Sequence, residues 1–505
     1  MNIKTIILWA FLLIGAFGCD DLGNMNVNPN APENISNNPE LLLTGIERNM
    51  VNTMVNDAWG EGNVMAQYSA KIVFTAFDQF EWGTSSGTWS AIYRSAREAN
   101  NLKSIAEETE NNSYQAISLI LKSWMFQIAT DMWGDIPYSE ALKGKKGDVF
   151  APVYEEQDEI YASILNDLEE ANNLLSASGL NVVKGDILLN GDLDNWRRFA
   201  NSLQLRALMR LSNVVGQTSI DVEGKMAAII SNPGKYPLIE NNSYNVALEY
   251  TTSYPNVHPR SQQSGHRVGS YDEYRMSETV EKVLEAYDDP RQMTWFAPTE
   301  ASRDEETPEY SGMINGMVDG SAYEYKGGPA NISKINPEIF YFEPNAARGI
   351  VMTAAEVHFI IAEGAVRFPE VGAVADAQTH YETGIILSFD YWNVEMPEDY
   401  LLRTSTSQEV SVPVAFDGSV ETIITQKWLA LFYTDYQGFC EFKRTGFPRV
   451  IEPGPDSNRD VYPSRFLYPD EEQALNLKNH DEAAVRQAGS VGNYDYWTPV
   501  WWENK

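Results

Sequence analysis

The sequence predicts a mostly α-helical protein built from antiparallel helix pairs, with two long irregular excursions. Three observations carry that prediction. From residue 39 onward, apolar residues recur at the three- and four-residue spacing of a helix through most of the chain. The breaks between these segments are short, as antiparallel neighbours require. Residues 233–350 and 440–505 lose the helical stripe and are dense in Pro, Gly, Asn and aromatic residues. Long ordered excursions of that kind usually carry function.

Residues 1–18 come first and read as a secretory signal. Lys4 supplies a positive start, and Ile6 to Phe17 is an apolar run of twelve residues. A membrane-spanning helix needs about 20 apolar residues, so this run is too short to cross and has the proportions of a signal core. It closes on Ala16-Phe17-Gly18-Cys19, which resembles a bacterial lipoprotein processing site, with Cys19 as the lipidated residue. Ala16 and Phe17 depart from the large aliphatic and small residues usual there. Acylation of Cys19 would anchor the mature chain to a membrane. Residues 19–38 are rich in Asn, Pro and acids, the composition of a flexible tether.

The periodic segments then follow at 41–55, 89–107, 113–131 and 155–175. Asp194 is placed to cap a helix whose Trp196, Phe199, Ala200, Leu203 and Ala207 share one face. Another stripe, 278–287, lies inside the first excursion. Thr353-Ala-Ala-Glu356 fits a reciprocal capping box ahead of Val357, Ile360 and Ile361. Stripes at 374–389 and 420–433 complete the series. The helix pairs therefore fall mainly in 39–232 and 351–435 of a single domain spanning 39–505. Such pairs predict tetratricopeptide-like stacking into a right-handed superhelix, although the 34-residue repeat signature is degenerate.

Charge and cysteine usage exclude several functions. The chain of 505 residues has 71 Asp and Glu against 37 Lys and Arg, a formal charge of −34. So acidic a surface repels phosphate backbones, and nucleic acid is excluded as a partner. Cys19 and Cys440 support neither a disulfide framework nor a Cys/His metal cluster, and Cys440 reads as a small buried residue. Gly83-Thr84-Ser85-Ser86-Gly87 fits the serine-hydrolase elbow, but that elbow needs a preceding strand in a parallel sheet, and the segment reads as a loop. His258 and His266 have no nucleophile tied to them. His358 reads as a satisfied helix-borne histidine, and Asp304-Glu305-Glu306 as a solvated charge run. We therefore assign no catalytic residue, no metal and no cofactor. Composition alone does not exclude a glycoside hydrolase, whose two carboxylates leave no motif.

Several segments together resemble the SusD/RagB family of outer-membrane nutrient-binding lipoproteins. Asp131-Met-Trp-Gly-Asp135-Ile-Pro137-Tyr138-Ser-Glu140-Ala matches the family hallmark. Tyr154 to Tyr161, Asp167 to Ala171, and Gly191-Asp192…Trp196 to Arg206 follow in the family's order. Asp289-Pro290-Arg291, Ala362-Glu363, Phe442 to Pro448, and Tyr468-Pro469…Asn476 extend the match across roughly residues 25–500. Trp196, Phe199 and Asp135-Ile-Pro137 read as structural markers of the family. The resemblance implies a surface protein that captures oligosaccharides, or in some members peptides, and acts without catalysis. It also implies a partner, a SusC-like TonB-dependent transporter over which the protein sits as a hinged lid. Asp20-Asp21 after Cys19 resembles the signal that sends such lipoproteins to the extracellular face of the outer membrane in Bacteroidetes-type bacteria.

A sugar site needs exposed aromatic faces beside amides or carboxylates. The chain holds 13 Trp, 26 Tyr and 20 Phe, more than a core needs. Gln79, Phe80 and Trp82 are the leading candidates, since a loop of corresponding position supplies an aromatic platform in the family. Tyr271, Tyr274, Trp295, Tyr323 and Tyr325 in the first excursion come next. If extended, Tyr323 and Tyr325 point the same way. The Tyr496-Trp497…Trp501-Trp502 cluster reads as packing for a C-terminal tail.

Overall fold

The computed structural model describes residues 38–143 and 149–503; Cys19, the signal sequence and the tether as far as residue 37 lie outside the described residues. Asn38 ends the tether by capping α1 (Pro39–Asp57), accepting hydrogen bonds from the backbone N–H groups of Glu40 and Leu41. There follow α2 (Ser86–Glu108), α3 (Asn112–Trp133), α4 (Gln157–Leu175), α5 (Leu193–Arg210) and α6 (Val222–Ser231). Each of α1 to α6 packs on its neighbour in sequence, the arrangement of tetratricopeptide-like pairs. Residues 113–133 of α3 are buried on nearly every face, Lys122 being an exception, so this helix is the axle of the first half.

The remaining longer helices are α7 (Glu278–Tyr287), α8 (Ala354–Arg367), α9 (Ala377–Tyr391), α10 (Val420–Ala430), α11 (Gln437–Thr445) and α12 (Leu477–Ala488). The protein is thus mostly α, as its periodicity predicts. α8 packs on α9 and α10 and also on α5, joining the two halves. Buried charge reinforces the junction. Glu363 on α8, Lys427 on α10, Glu441 and Arg444 on α11, Arg210 on α5 and Asp131 on α3 form one connected ionic network. Burying a charge is costly unless it is paired, and here each guanidinium faces carboxylates, as with Arg444 to Glu363 at 2.6 Å. The cationic neighbours hold Glu441 well below the usual carboxylate range despite its burial.

Four local expectations are corrected. Asp192, not Asp194, caps α5, accepting from Asn195 N–H at 3.0 Å. Thr353 caps α8, but the Glu356 carboxylate does not close the box; it receives the Arg206 guanidinium at 2.6 and 2.7 Å. A buried arginine without that partner would be far costlier than an open cap. The 420–433 stripe stops at Ala430, because Tyr433 and Asp435 adopt positive φ of 67° and 28° and turn the chain. The 440–505 excursion contains the twelve-residue helix α12.

The described strands form two-stranded antiparallel ribbons. One of them, Ser69–Lys71 paired with Tyr274–Met276, positions the site. At its Lys71–Tyr274 end the chain leaves into the loop 72–82 and returns from the 258–273 segment, and Ile72 N–H still bonds the Glu273 carbonyl at 2.9 Å.

Candidate ligand-binding site

Five of the predicted ring platforms are core residues. Trp82 stacks on Phe77 at 5.8 Å and meets Phe80, Phe439, Tyr462 and Phe466 edge-on. Phe80 is buried with it, against Tyr462. The mixed polar and aromatic spelling of 77–82 reflects a tight turn, with Gln79 N–H on the Thr75 carbonyl and Glu81 N–H on that of Ala76. That turn rolls Phe80 and Trp82 inward. The Gln79 side-chain amide is spent inside it, donating to Thr75 Oγ1 at 2.8 Å. Tyr271 and Tyr274 pack on buried Trp59, and the Tyr271 hydroxyl donates to the Ile335 carbonyl. Trp295 is fully buried and stacks on Phe432 at 4.6 Å. Tyr323 and Tyr325 do not share an extended face, because Asp319–Glu324 is a helical turn. Tyr325 folds back to donate to Glu278 at 2.6 Å, whereas Tyr323 stays 53% exposed.

Phe74 is the ring that loop 72–82 presents to solvent. It is 68% exposed and held at a φ of 55°, a conformation rare for a bulky residue. The loop beneath it is fixed from three sides. Thr75 N–H bonds the Asp319 carboxylate at 2.8 Å, which ties the loop to the helical turn carrying Tyr323. The buried Asp78 carboxylate receives Lys71 N–H at 3.1 Å and the Asn315 amide at 2.8 Å. Asn458 N–H reaches the Gln79 carbonyl at 3.2 Å. The 454–458 segment in turn grips 316–318: Asp456 N–H bonds the Gly316 carbonyl, and the Asp456 carboxylate takes Val318 N–H. Gly454 permits this closeness, since a Cβ there would lie 1.7 Å from the Asn315 carbonyl oxygen. Three distant stretches therefore meet in one corner bearing two exposed rings, Phe74 and Tyr323.

Exposed acids outnumber bases around the rings, with Lys326 and Arg459 as the flanking cations. Glu81, Asp319, Glu324 and Asp456 are exposed on these same three stretches. Burial pushes Asp78 up to about 6 against the pull of its hydrogen bonds.

A second polar cluster lies where Gly60 approaches Tyr274. α1 continues into a π-turn, Ala58–Gly62, a widening often found at functional sites. Glu61 there accepts from Tyr436 at 2.5 Å and from Ser85 at 3.2 Å, and Asp57 accepts from Thr88 at 2.8 Å. Burial pushes both carboxyls up. Arg260 lies beside His266, which desolvation and Arg260 push down to about 4. Ser85 is thus engaged with Glu61 and Thr88 and follows no strand of a parallel sheet. Among the described residues no group of three or more His, Cys, Asp or Glu converges to hold a metal ion.

Sequence periodicity had no means of finding Phe74. Phe74, Phe77 and Phe80 are spelled alike, and Phe74 and Phe80 both have positive φ (55° and 72°), yet Phe80 packs inward and Phe74 faces out, so the tertiary contacts of the loop decide between them.

A helical-pair scaffold with exposed aromatic rings on an irregular face is the architecture of a binding protein, since such rings offer flat apolar surfaces to a ligand. Comparison with known proteins agrees. Residues 29–469 match the family model SusD-like, described as starch-binding associating with outer membrane. The chain belongs to this SusD-like family. Among solved structures, a SusD homolog from Bacteroides fragilis is 27% identical, with a TM-score of 0.77 over 92% of this chain and 99% of that one. A chitin-binding protein (24% identity, TM-score 0.75, 93% and 100% covered) shares the fold. So does a chitin-binding SusD homolog from Flavobacterium johnsoniae (22% identity, TM-score 0.73, 91% and 98% covered). No curated protein matches the sequence.

Proposed function

We propose that this protein captures neutral oligosaccharides on the Phe74–Tyr323 corner and delivers them to a SusC-like TonB-dependent transporter. It acts there as a hinged lid on the extracellular face of the outer membrane, held by lipid on Cys19. The observation that carries the reading is Phe74: an exposed ring kept in a strained backbone by a loop pinned on three sides. That backbone costs a non-glycine residue about 1–2 kcal/mol and is kept by the contacts that pin the loop. A ring face covers the apolar side of a sugar, and the carboxylates beside it accept from hydroxyls. The same carboxylates repel sulfated and uronic-acid polymers, which selects neutral chains. Capture and release need no bond cleavage, so we assign no catalytic residue.

The similar chitin-binding structures make chito-oligosaccharides the first ligands to try, followed by malto-oligosaccharides, an anionic glycan and peptides, each titrated calorimetrically. Binding of a neutral glycan that weakens in Phe74→Ala and Tyr323→Ala supports the site. Binding of peptides alone keeps the family role and changes the cargo. A concavity of about 500 Å³ between Trp89, Tyr93, Arg94 and the exposed Phe150 is the competing location. Loss of binding in Phe150→Ala, with Phe74→Ala unaffected, would move the site there. New reducing ends in a long incubation would overturn the binding-only role.

A further inference from the structure

His358 lies on α8 and His380 on α9, helices packed side by side and away from the aromatic corner in the fold. Their Nδ1 atoms are 2.9 Å apart, and the rings, 4.9 Å between centroids, are inclined by 35°. Nε2 of His358 lies 3.1 Å from the Glu240 carbonyl oxygen. A carbonyl only accepts, so Nε2 carries the His358 proton and its Nδ1 holds a bare lone pair. Metal-binding imidazoles are commonly oriented this way, the outer N–H fixed by a carbonyl. In the metal-free protein Nδ1–H of His380 donates to that lone pair. Moving this proton to Nε2 of the same ring frees a second lone pair beside the first, with no net proton released.

The 2.9 Å spacing serves the hydrogen bond now present, and it also suits a shared ion once the rings turn both lone pairs to one side. Two nitrogens about 2.05 Å from a metal at a right angle stand about 2.9 Å apart, the separation of these two atoms. We propose that His358 and His380 form a site for one divalent transition-metal ion that prefers nitrogen donors, copper(II), nickel(II) or zinc(II), with water completing the coordination. Both histidines are half-buried. The carboxylates of Glu240 and Asp376 lie close enough to act on His358 and His380 respectively, and they draw a cation to the pair. A bound ion would clamp α8 to α9.

The test titrates the full chain, made without a histidine tag, with CuCl2 and NiCl2 by calorimetry, and records the Cu(II) electron paramagnetic resonance spectrum. The expected result is one equivalent bound, with hyperfine coupling to two imidazole nitrogens. His380→Gln and His358→Gln should each weaken binding by about tenfold or more. Glutamine at 358 keeps a donor for the Glu240 carbonyl, and a melting curve checks the fold; His380→Gln carries the test if it does not hold. The other three histidines, His258, His266 and His480, remain as internal controls. Absence of saturable binding, coupling to a single nitrogen, or undiminished affinity in the double variant would overturn the site.

Discussion

Phe74 shows 68% of its surface to solvent at a φ of 55°, so Phe74→Gly removes a ring that the core does not use. The left-handed conformation costs a non-glycine residue about 1–2 kcal/mol. Glycine relieves that strain but loses about 0.5–1 kcal/mol through the freer unfolded chain. The two nearly cancel, and stability should stay the same or rise by about 1 kcal/mol. Binding should respond otherwise. Covering one ring face with a sugar removes about 60 Å² from water, about 1.5 kcal/mol, and ring geometry adds about 1 kcal/mol. Together these give about a 60-fold loss of affinity. Trp82→Ala is the counterpart. Its ring touches four buried aromatics and the half-buried Phe77, so the substitution should cost about 3–5 kcal/mol of stability and leave affinity unchanged in molecules that remain folded. Denaturant titration and calorimetry on both variants decide the matter. Full affinity in Phe74→Gly, or lost affinity in a stably folded Trp82→Ala, would refute the assignment of the two rings.

Other consequences are open to measurement. Arg206→Ala strands the Glu356 carboxylate in the core and should cost about 3–5 kcal/mol in denaturant titration. Gly454→Ala must push the chain off the Asn315 carbonyl, and hydrogen exchange should show faster opening of 315–318 and 454–458 while α3 keeps its protection. Asp78 has a folded pKa raised to about 6, above its unfolded value, so the folded state binds the proton more tightly. Its contribution is therefore greatest below about pH 4 and is lost as pH rises to about 6, by up to about 3 kcal/mol. Subtracting the pH–stability profile of Asp78→Asn from that of the parent should reveal this slope, and identical profiles would contradict it.

The helices were legible because burial imposes a period on the sequence. The stripe of Trp196, Phe199, Ala200, Leu203 and Ala207 is buried throughout, and Gln157–Leu175 closely fits the predicted segment. Caps were read less well. Asp192 and Asp194 are chemically equal candidates, and the choice depends on where Leu189 and Gly191 leave the chain. The exposed rings of the candidate corner were less legible than the helices. Gln79, Phe80 and Trp82 were singled out from the sequence and Phe74 was not, yet Phe80 and Trp82 point inward and Phe74 outward. That outcome is set by Asp319, Asn315 and Asn458, more than 200 positions away. Tyr323 was named, but for an extended geometry that the turn at Asp319–Glu324 replaces.

The ionic network that crosses α3, α5, α8, α10 and α11 bears on how the body can move. Pulling any of these helices aside would expose an unmatched charge to an interior without water, a penalty of several kcal/mol at each break. The body is in effect welded, so these five helices should move together as one unit.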